Sequence, residues 1–138
     1  MSNGKLGMRS KQPIGNNDGS AISEYASVTP VGDVTVVAAA ANLSDDLSSV
    51  TVGQNGYWTG GSRFMHISFA KDANDVAVYA FNYAFGQWQP LMQLGPAGFD
   101  AVELTEDGHY ILDINGTDRV AFVSGGAPTS LKIAFNSF

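Results

Sequence analysis

Apolar residues alternate with polar or small residues over much of the chain after Asp33, which is the pattern of half-buried β-strands. Such runs, rich in the β-branched and aromatic residues that strands favour, lie at 34–38, 50–52, 65–69, 75–85, 102–104, 110–114, 120–122 and 131–135. Pairs of turn-forming residues separate them at Asn55-Gly56, Gly60-Gly61, Asp107-Gly108, Asn115-Gly116 and Gly125-Gly126. This pattern predicts an all-β domain, either a β-sandwich or a jelly roll.

A short helix is the one interruption that the pattern allows, between Asn42 and Ser49. Ser44 is a suitable cap there, and Asp45 and Asp46 stand in what would be the first turn. A loop accounts for the same residues equally well. We see no internal repeat and no second domain.

The run from 75 to 85 is the longest strand pattern and is apolar on both faces. Its odd positions are mostly aromatic, and its even positions are smaller. A strand of this kind is either central in a sandwich or packed against another subunit on its second face. Apolar residues continue after it through Trp88 and Leu94. The candidate interface aromatics are Tyr79, Phe81, Tyr83, Phe85 and Trp88.

The first 24 residues, Met1 to Glu24, have no apolar period and are rich in Gly, Asn and Ser. Such a segment buries too little apolar surface to offset the entropy cost of ordering it. We therefore expect an extended arm over 1–24 that becomes ordered only against other chains, followed by one domain over 25–138. The residues expected to contact a partner are Lys5, Leu6, Met8, Arg9, Lys11 and Ile14.

Charge is sparse and unevenly distributed in this chain of 138 residues. Charged residues make up 14%, and the formal net charge is −6. Residues 1–12 contribute +3, so the remainder carries −9. Nucleic-acid binding requires a basic surface, so we expect no nucleic-acid partner. A low-charge surface is instead suited to burial against neighbouring proteins.

The chain contains no cysteine, which excludes disulfides, thiolate metal sites and a cysteine nucleophile. It shows no apolar core of a signal peptide and no run approaching the roughly 18 apolar residues of a membrane span. We therefore expect synthesis in a cytoplasm and no membrane partner. Two matches to the glycosylation sequon, at Asn42 and Asn115, are then expected to be coincidental.

Candidates for catalysis are weak. His66 and His109 lie opposite the apolar sides of their strands, with no carboxylate at metal-ligand spacing beside either. Glu103, Glu106 and Asp107 cluster at one turn, where solvated acids are common, although paired carboxylates can also hydrolyse glycosides. The acidic loop around Asp72, Asn74 and Asp75 lacks the full ligand series of a calcium loop. We expect no enzyme activity, no metal and no cofactor.

Sugar binding is a further candidate. Trp58 and Trp88 stand in or near expected loops and edges, with Tyr57 and Tyr83 close in sequence. Exposed aromatic rings on a β-sandwich can stack on sugar rings, although large aromatics also close the ends of protein cores. The candidate sugar-stacking residues are Trp58 and Trp88.

The basic, Gly/Asn-rich start Met1-Ser2-Asn3-Gly4-Lys5-Leu6-Gly7-Met8-Arg9 precedes a cysteine-free, strand-rich body that closes on the strand pattern 131–138. In overall style this resembles the decoration, or cement, proteins of tailed bacteriophages. The resemblance rests on no diagnostic motif. It implies a homotrimer on the capsid surface, in contact with the major capsid protein and with other copies of itself, and a mechanical role in stabilising the shell.

We therefore expect a virion structural protein of the decoration type. The first alternative is a carbohydrate-binding or adhesin-like β-sandwich module. The second is a structural protein of a phage tail or fibre base, which shares the same expected fold. An enzyme is the least supported class.

Overall fold

The structure, a computed structural model, describes residues 29–137. About half of these residues lie in strands, and no α-helix occurs among them. The expected all-β fold is thereby confirmed. The expected arm over 1–24 lies outside the described residues, together with its partner-contacting residues Lys5, Leu6, Met8, Arg9, Lys11 and Ile14, as does the start of the expected domain at residue 25.

Eleven strands follow one another along the described chain. They are β1 (Thr29–Asp33), β2 (Tyr57–Trp58), β3 (Phe64–Ala70), β4 (Val76–Asn82), β5 (Gln87–Pro90), β6 (Met92–Gly95), β7 (Gly98–Ala101), β8 (Glu103–Leu104), β9 (Gly108–Asp113), β10 (Arg119–Val123) and β11 (Ser130–Asn136). A single 3-10 turn, Ala40–Asn42, lies between β1 and β2.

Two antiparallel sheets form the body. A four-stranded sheet has the order β1-β11-β3-β9. A five-stranded sheet has the order β2-β10-β4-β5, and β8 pairs with the first residues of β4. The remaining strands, β6 and β7, pair with each other as a separate hairpin. Most strands that lie side by side in a sheet are distant from each other in sequence, so long-range strand pairing defines the topology.

The core lies between the two sheets and is built from one face of each, as in a β-sandwich. The four-stranded sheet and the five-stranded sheet both contribute alternate residues, which point inward because strand side chains have a period of two. The fully or nearly fully buried members include Met65, Ile67, Phe69, Leu112, Leu131, Ile133 and Phe135 from the first sheet and Val76, Val78, Leu104, Val120 and Phe122 from the second.

The segment 34–38 was expected to be a strand, and that prediction is wrong. The strand in this region is β1, which ends at Asp33. The chain then crosses from one sheet to the other: the Val34 amide donates to the Leu131 carbonyl at 2.9 Å, and the Val37 amide donates to the Phe122 carbonyl at 2.9 Å. The alternation of Val34 and Val36 therefore reflects half-burial along a crossing, not membership of a ladder.

The segment 50–52 is likewise not a strand, because Val50 and Val52 are exposed in a turn-rich loop. The optional helix near 42–49 is a loop as well. There the Ser44 hydroxyl accepts from the Asp46 amide at 3.0 Å, and Asp46 Oδ1 accepts from the Ser48 amide at 2.8 Å. Such local side-chain bonds favour turns over helix.

The expected strand 75–85 is shorter than its pattern, because β4 ends at Asn82. Val76 and Val78 point into the core, whereas Phe81 is buried on the opposite, outer face of the five-stranded sheet. Tyr83 and Phe85 lie beyond the strand and are exposed. The run is therefore apolar on both faces for two reasons: one side is core, and the other belongs to a second cluster.

Candidate functional site

The outer face of the five-stranded sheet carries a row of four large side chains centred on Arg119. Strand pairing places Arg119 opposite Trp58 on β2 and opposite Phe81 on β4, and Phe81 in turn lies opposite Trp88 on β5. Directly opposed residues in neighbouring strands project to the same face, so register alone brings these four side chains together. We call them, with Tyr83, the arginine cluster.

The Arg119 guanidinium is enclosed by aromatic rings. Its Cζ atom lies 4.3 Å from the ring centre of Phe81, 5.3 Å from that of Trp58 and 5.4 Å from that of Trp88. The Tyr83 ring centre is 5.9 Å away. These distances fall within the range of cation–π attraction, which is strongest where water is excluded.

Arg119 is fully buried, yet its donors are only partly satisfied. Nη1 donates to the Asn55 carbonyl at 2.8 Å, whereas Nε and Nη2 have no hydrogen-bond partner among residues 29–137. No carboxylate of the described residues forms an ion pair with this guanidinium. A buried cation without a counter-charge costs free energy to maintain, so the rings around it supply the compensating attraction.

Tyr83 joins the cluster from the turn after β4. Its amide donates to Asp118 Oδ2 at 2.7 Å, and its ring stands edge-on to Phe81 at 5.4 Å with an interplanar angle of 90°. The Asn82 side chain closes the turn, since its amide group donates to the Gly116 carbonyl and its oxygen accepts from the Ala84 amide. The turn that carries Tyr83 is therefore held at several points.

Two rings of the cluster face solvent. Trp58 is 52% exposed and Tyr83 is 57% exposed. Their ring centres lie 6.2 Å apart, and the two ring planes are tilted by 35° to each other. We call these two side chains the Trp58–Tyr83 pair.

Trp88 differs from Trp58, although both were candidate sugar-stacking residues. Trp88 is half-buried, and its indole N–H donates to the Ser44 carbonyl at 3.1 Å. Gly56, with φ +80°, approaches so closely that a Cβ atom there would lie 2.5 Å from the Trp88 ring. Trp88 thus fixes the loop 43–56 against the sheet, and Trp58 presents the accessible ring.

The five candidate interface aromatics lie in different places. Phe81, Tyr83 and Trp88 belong to the arginine cluster. Tyr79 is half-buried and lies opposite Pro90, on the same outer face. Phe85 is exposed in the turn that follows β4. Arg119 itself was missed, because a single cation beside a valine-rich strand pattern suggests solvent exposure.

A second apolar surface lies on the hairpin of β6 and β7. Cross-strand pairing puts Met92 opposite Ala101 and Leu94 opposite Phe99, so all four side chains share one face. All four are exposed; Leu94 is 76% and Phe99 is 70% accessible. We call this the hairpin face.

Three backbone hydrogen bonds fix the base of the hairpin: two join it to Val78 of β4, and the third joins its two ends. The Leu91 amide donates to the Val78 carbonyl at 3.0 Å, and the Val78 amide donates to the Val102 carbonyl at 3.2 Å. The Val102 amide donates to the Leu91 carbonyl at 2.8 Å. Leu91 is buried, so the chain leaves the core there, forms the hairpin and returns at Val102. The sequence showed that Met92 and Leu94 are apolar, but it did not show that they share one face with Phe99 and Ala101.

The residues considered for catalysis take part in the following contacts. His66 and His109 stack at 5.6 Å on the outer face of the four-stranded sheet, and His66 Nε2 lies 3.1 Å from Asn136 Oδ1. The Lys71 amide donates to Asp107 Oδ1 at 2.7 Å. Within residues 29–137, no group of three or more His, Cys, Asp or Glu side chains is arranged to hold a metal ion.

Two exposed carboxylates have local partners. A hydrogen bond from Lys71 Nζ to Asp75 Oδ1, at 2.8 Å, raises the pKa of Lys71 above its ordinary value. Hydrogen bonds from Ser48 lower the pKa of Asp46. Both are surface arrangements that shape turns.

No helix in the described part of the chain is long and apolar enough to cross a membrane.

No family model, curated protein or solved structure matches this chain. We therefore infer a function from the geometry of this chain's own residues.

Proposed function

We propose that this protein is a virion structural subunit of the decoration type, which stabilises a shell by bridging neighbouring capsid proteins. The observation that carries the proposal is the hairpin face, with Leu94 and Phe99 opposed and largely exposed. A contiguous apolar face of this kind is typical of a surface that another protein covers. The capsid subunit is the proposed partner.

The position of the hairpin favours docking. It projects from the edge of the five-stranded sheet and pairs with no other strand among the described residues. An apolar face with free strand edges promotes uncontrolled association when nothing covers it. A protein that works within an assembly avoids this problem, because its partner covers the face permanently.

The polar side of the hairpin supports the same role. Gln93 lies opposite Asp100, on the face turned away from the apolar residues. The hairpin is thus amphipathic: Gln93 on its polar face is half-buried, whereas Met92 and Leu94 on its apolar face are exposed. Burying side chains such as Leu94 and Phe99 stabilises a contact by about 2 kcal/mol each.

Charge supports a protein partner over nucleic acid. Residues 29–137 contain eleven acidic and four basic residues. One of the four, Arg119, is buried. Phosphate backbones bind to exposed basic surfaces, and this body offers the opposite. If the expected arm over 1–24 makes a second contact, its attachment would multiply with that of the hairpin.

The test is attachment of the hairpin double variant Leu94→Ser/Phe99→Ser to purified shells that lack the protein. We expect its occupancy to fall at least tenfold relative to the unmodified protein, because the apolar burial is lost. The matched control is Ile111→Ser, which removes a 58% exposed residue from the outer face of the four-stranded sheet. This control should attach normally.

Two outcomes would refute the proposal. Equal occupancy of the double variant and the unmodified protein would remove the hairpin face from the contact. Attachment to tails but not to shells would favour the alternative of a tail or fibre-base protein. A count of copies at each attachment point tests the expected homotrimer in the same preparation.

A further inference from the structure

The Trp58–Tyr83 pair has the properties of a preformed binding platform. Both rings are more than half exposed, and both contact the buried Arg119 guanidinium. The pairing of β2 with β10 places Trp58 beside Arg119, the Tyr83 backbone amide donates a hydrogen bond to Asp118, and the Tyr83 ring contacts Phe81. A ring that is already immobile loses little conformational entropy when a ligand stacks on it.

Arg119 provides the second, independent observation. It is fully buried beneath the pair, and in the described part of the chain nothing accepts a hydrogen bond from its Nε and Nη2 atoms. An apolar residue of similar size would fill the same space without the cost of burying a charge. What the guanidinium adds is a planar cation that attracts both exposed rings at once, at 5.3 Å and 5.9 Å.

The chemistry around the pair restricts its occupant. Flat partners of aromatic rings include nucleobases, sugars and other aromatic groups. The acidic body repels nucleic acids and acidic polysaccharides, since the described residues hold eleven acids against four bases. An uncharged sugar ring carries no such penalty, and its C–H face packs on aromatic rings.

The size of the pair also favours a small ligand. Two rings with centres 6.2 Å apart offer a floor for one or two sugar units, far less than the roughly 800 Å² that each partner buries in a typical protein interface. The Asp118 carboxylate, which already accepts from the Tyr83 amide, lies at the border of the pair, where sugar hydroxyls need acceptors. Polar groups beside an aromatic floor are the usual composition of a small-molecule site.

From these observations we infer that the Trp58–Tyr83 pair binds uncharged sugar rings of a glycan, with Arg119 as the positioning residue that holds both rings in place. This site lies on the arginine cluster and uses none of the hairpin residues. It is therefore independent of the proposed attachment to a shell. It differs from the earlier expectation in its second ring, which is Tyr83 and not Trp88.

The experiment uses the full chain and a panel of neutral hexaoses made from glucose, mannose, galactose, xylose or N-acetylglucosamine, together with a polyuronic acid. Binding is followed by calorimetry and by tryptophan emission, which reports on the site because both tryptophans of the chain, Trp58 and Trp88, belong to the arginine cluster. We expect at least one neutral hexaose to bind and to change the emission of Trp58. Trp58→Ala and Tyr83→Ala should each weaken its binding at least tenfold.

The matched control is Phe99→Ala, which removes an exposed aromatic ring from the hairpin face. Its affinity for the hexaose should remain within twofold of the unmodified protein. This control also separates the two proposals, because Phe99 belongs to the proposed shell contact and not to the platform.

The role of Arg119 has its own readout. In Arg119→Met we expect the affinity to fall three- to tenfold while the backbone fold is retained. Time-resolved anisotropy of Trp58 should show faster ring motion in this variant, a change that a purely structural role elsewhere would not produce. Arg119→Lys keeps the positive charge but not the planar guanidinium group. It should therefore retain part of the affinity that Arg119→Met loses.

Several results would overturn the inference. They are binding of none of the neutral hexaoses, preference for the polyuronic acid, or unchanged affinity in both platform variants. A loss of shell attachment in Trp58→Ala and Tyr83→Ala, without any glycan binding by the unmodified protein, would show that the pair contacts protein instead.

Discussion

Arg119 combines two features that rarely occur together: complete burial, and donors that find no partner within residues 29–137. Burial removes the hydration of the guanidinium, and the described residues supply one hydrogen bond, from the Asn55 carbonyl, in return. Four aromatic rings supply the remaining attraction. Whether this arrangement stabilises the fold depends on the balance between cation–π attraction and desolvation.

We predict that desolvation dominates this balance. Arg119→Met should therefore raise the free energy of unfolding by about 1 kcal/mol, because a side chain of similar volume replaces a partly unsatisfied cation. Arg119→Ala should lower it by about 2 to 4 kcal/mol, because it leaves a cavity beneath the rings. Urea unfolding of both variants measures the two effects. A loss above about 2 kcal/mol in Arg119→Met would show instead that the cation stabilises the fold.

Gly56 shows how one small residue positions the loop that precedes β2. Its φ of +80° suits glycine, and a Cβ atom there would lie 2.5 Å from Trp88 and 2.8 Å from the Val120 carbonyl oxygen. Both neighbours are fixed, the first by its bond to Ser44 and the second within β10. The close approach lets the loop cover the ring.

Gly56→Ala should therefore lower the free energy of unfolding by about 2 to 4 kcal/mol, through a combination of backbone strain and steric overlap. The control is Gly86→Ala, where φ is +65° and no atom lies within 4 Å of the added Cβ. That variant should lose only about 1 kcal/mol, from strain alone. Equal losses in thermal unfolding would contradict the overlap with Trp88.

At the scale of elements, the hairpin of β6 and β7 is an addition to the sandwich and contributes nothing to the central cluster of buried side chains. Leu91 and Val102 already exchange a backbone hydrogen bond at its base. The core therefore ends where the hairpin begins. Stability and the proposed docking therefore belong to different elements of the same chain.

This separation predicts the effect of removing the hairpin. Replacing residues 92–101 by Asn-Gly joins Leu91 to Val102 through a two-residue turn of the type that antiparallel strands favour. The free energy of unfolding should stay within about 1 kcal/mol of the unmodified protein, because no core residue is lost. Chemical denaturation measures it. A substantially larger loss would show that the hairpin supports the fold.

The elements that the sequence predicted well are those with one buried face and one solvated face. Alternation located the strand at 65–69 and the strand at 131–135, which are β3 and β11. It failed at 34–38, where half-buried residues line a crossing between sheets, and it missed β6 and β7, whose apolar face is exposed. Period alone does not distinguish burial in a core from exposure on a docking face.

The candidate site was predictable only in part for a related reason. The aromatic residues of 75–85 and Trp58 were recognisable by type. Their assembly depends on the register of four strands, which pairs residue 119 with residues 58 and 81 across long sequence distances. No local pattern marks Arg119 as buried, since a charged residue in a strand is usually solvated.

At the scale of the whole molecule, residues 29–137 form a sandwich on which we distinguish two apolar surfaces made from different strands. The arginine cluster is built on a row across the five-stranded sheet, and the hairpin face lies on a separate pair of strands. The acidic, low-charge body disfavours nucleic acid and favours burial against protein. The proposed attachment to a shell and the proposed glycan site thus use different residues and are separable by mutation.

Hydrogen exchange of residues 92–101, measured for the free protein and for the protein bound to shells, tests the proposed docking most directly. The free hairpin should exchange fast, because among the described strands its two strands pair just with each other. On the shell its amides should slow at least tenfold, while core strands such as β3 change little. Equal exchange of the hairpin in both states would contradict the account.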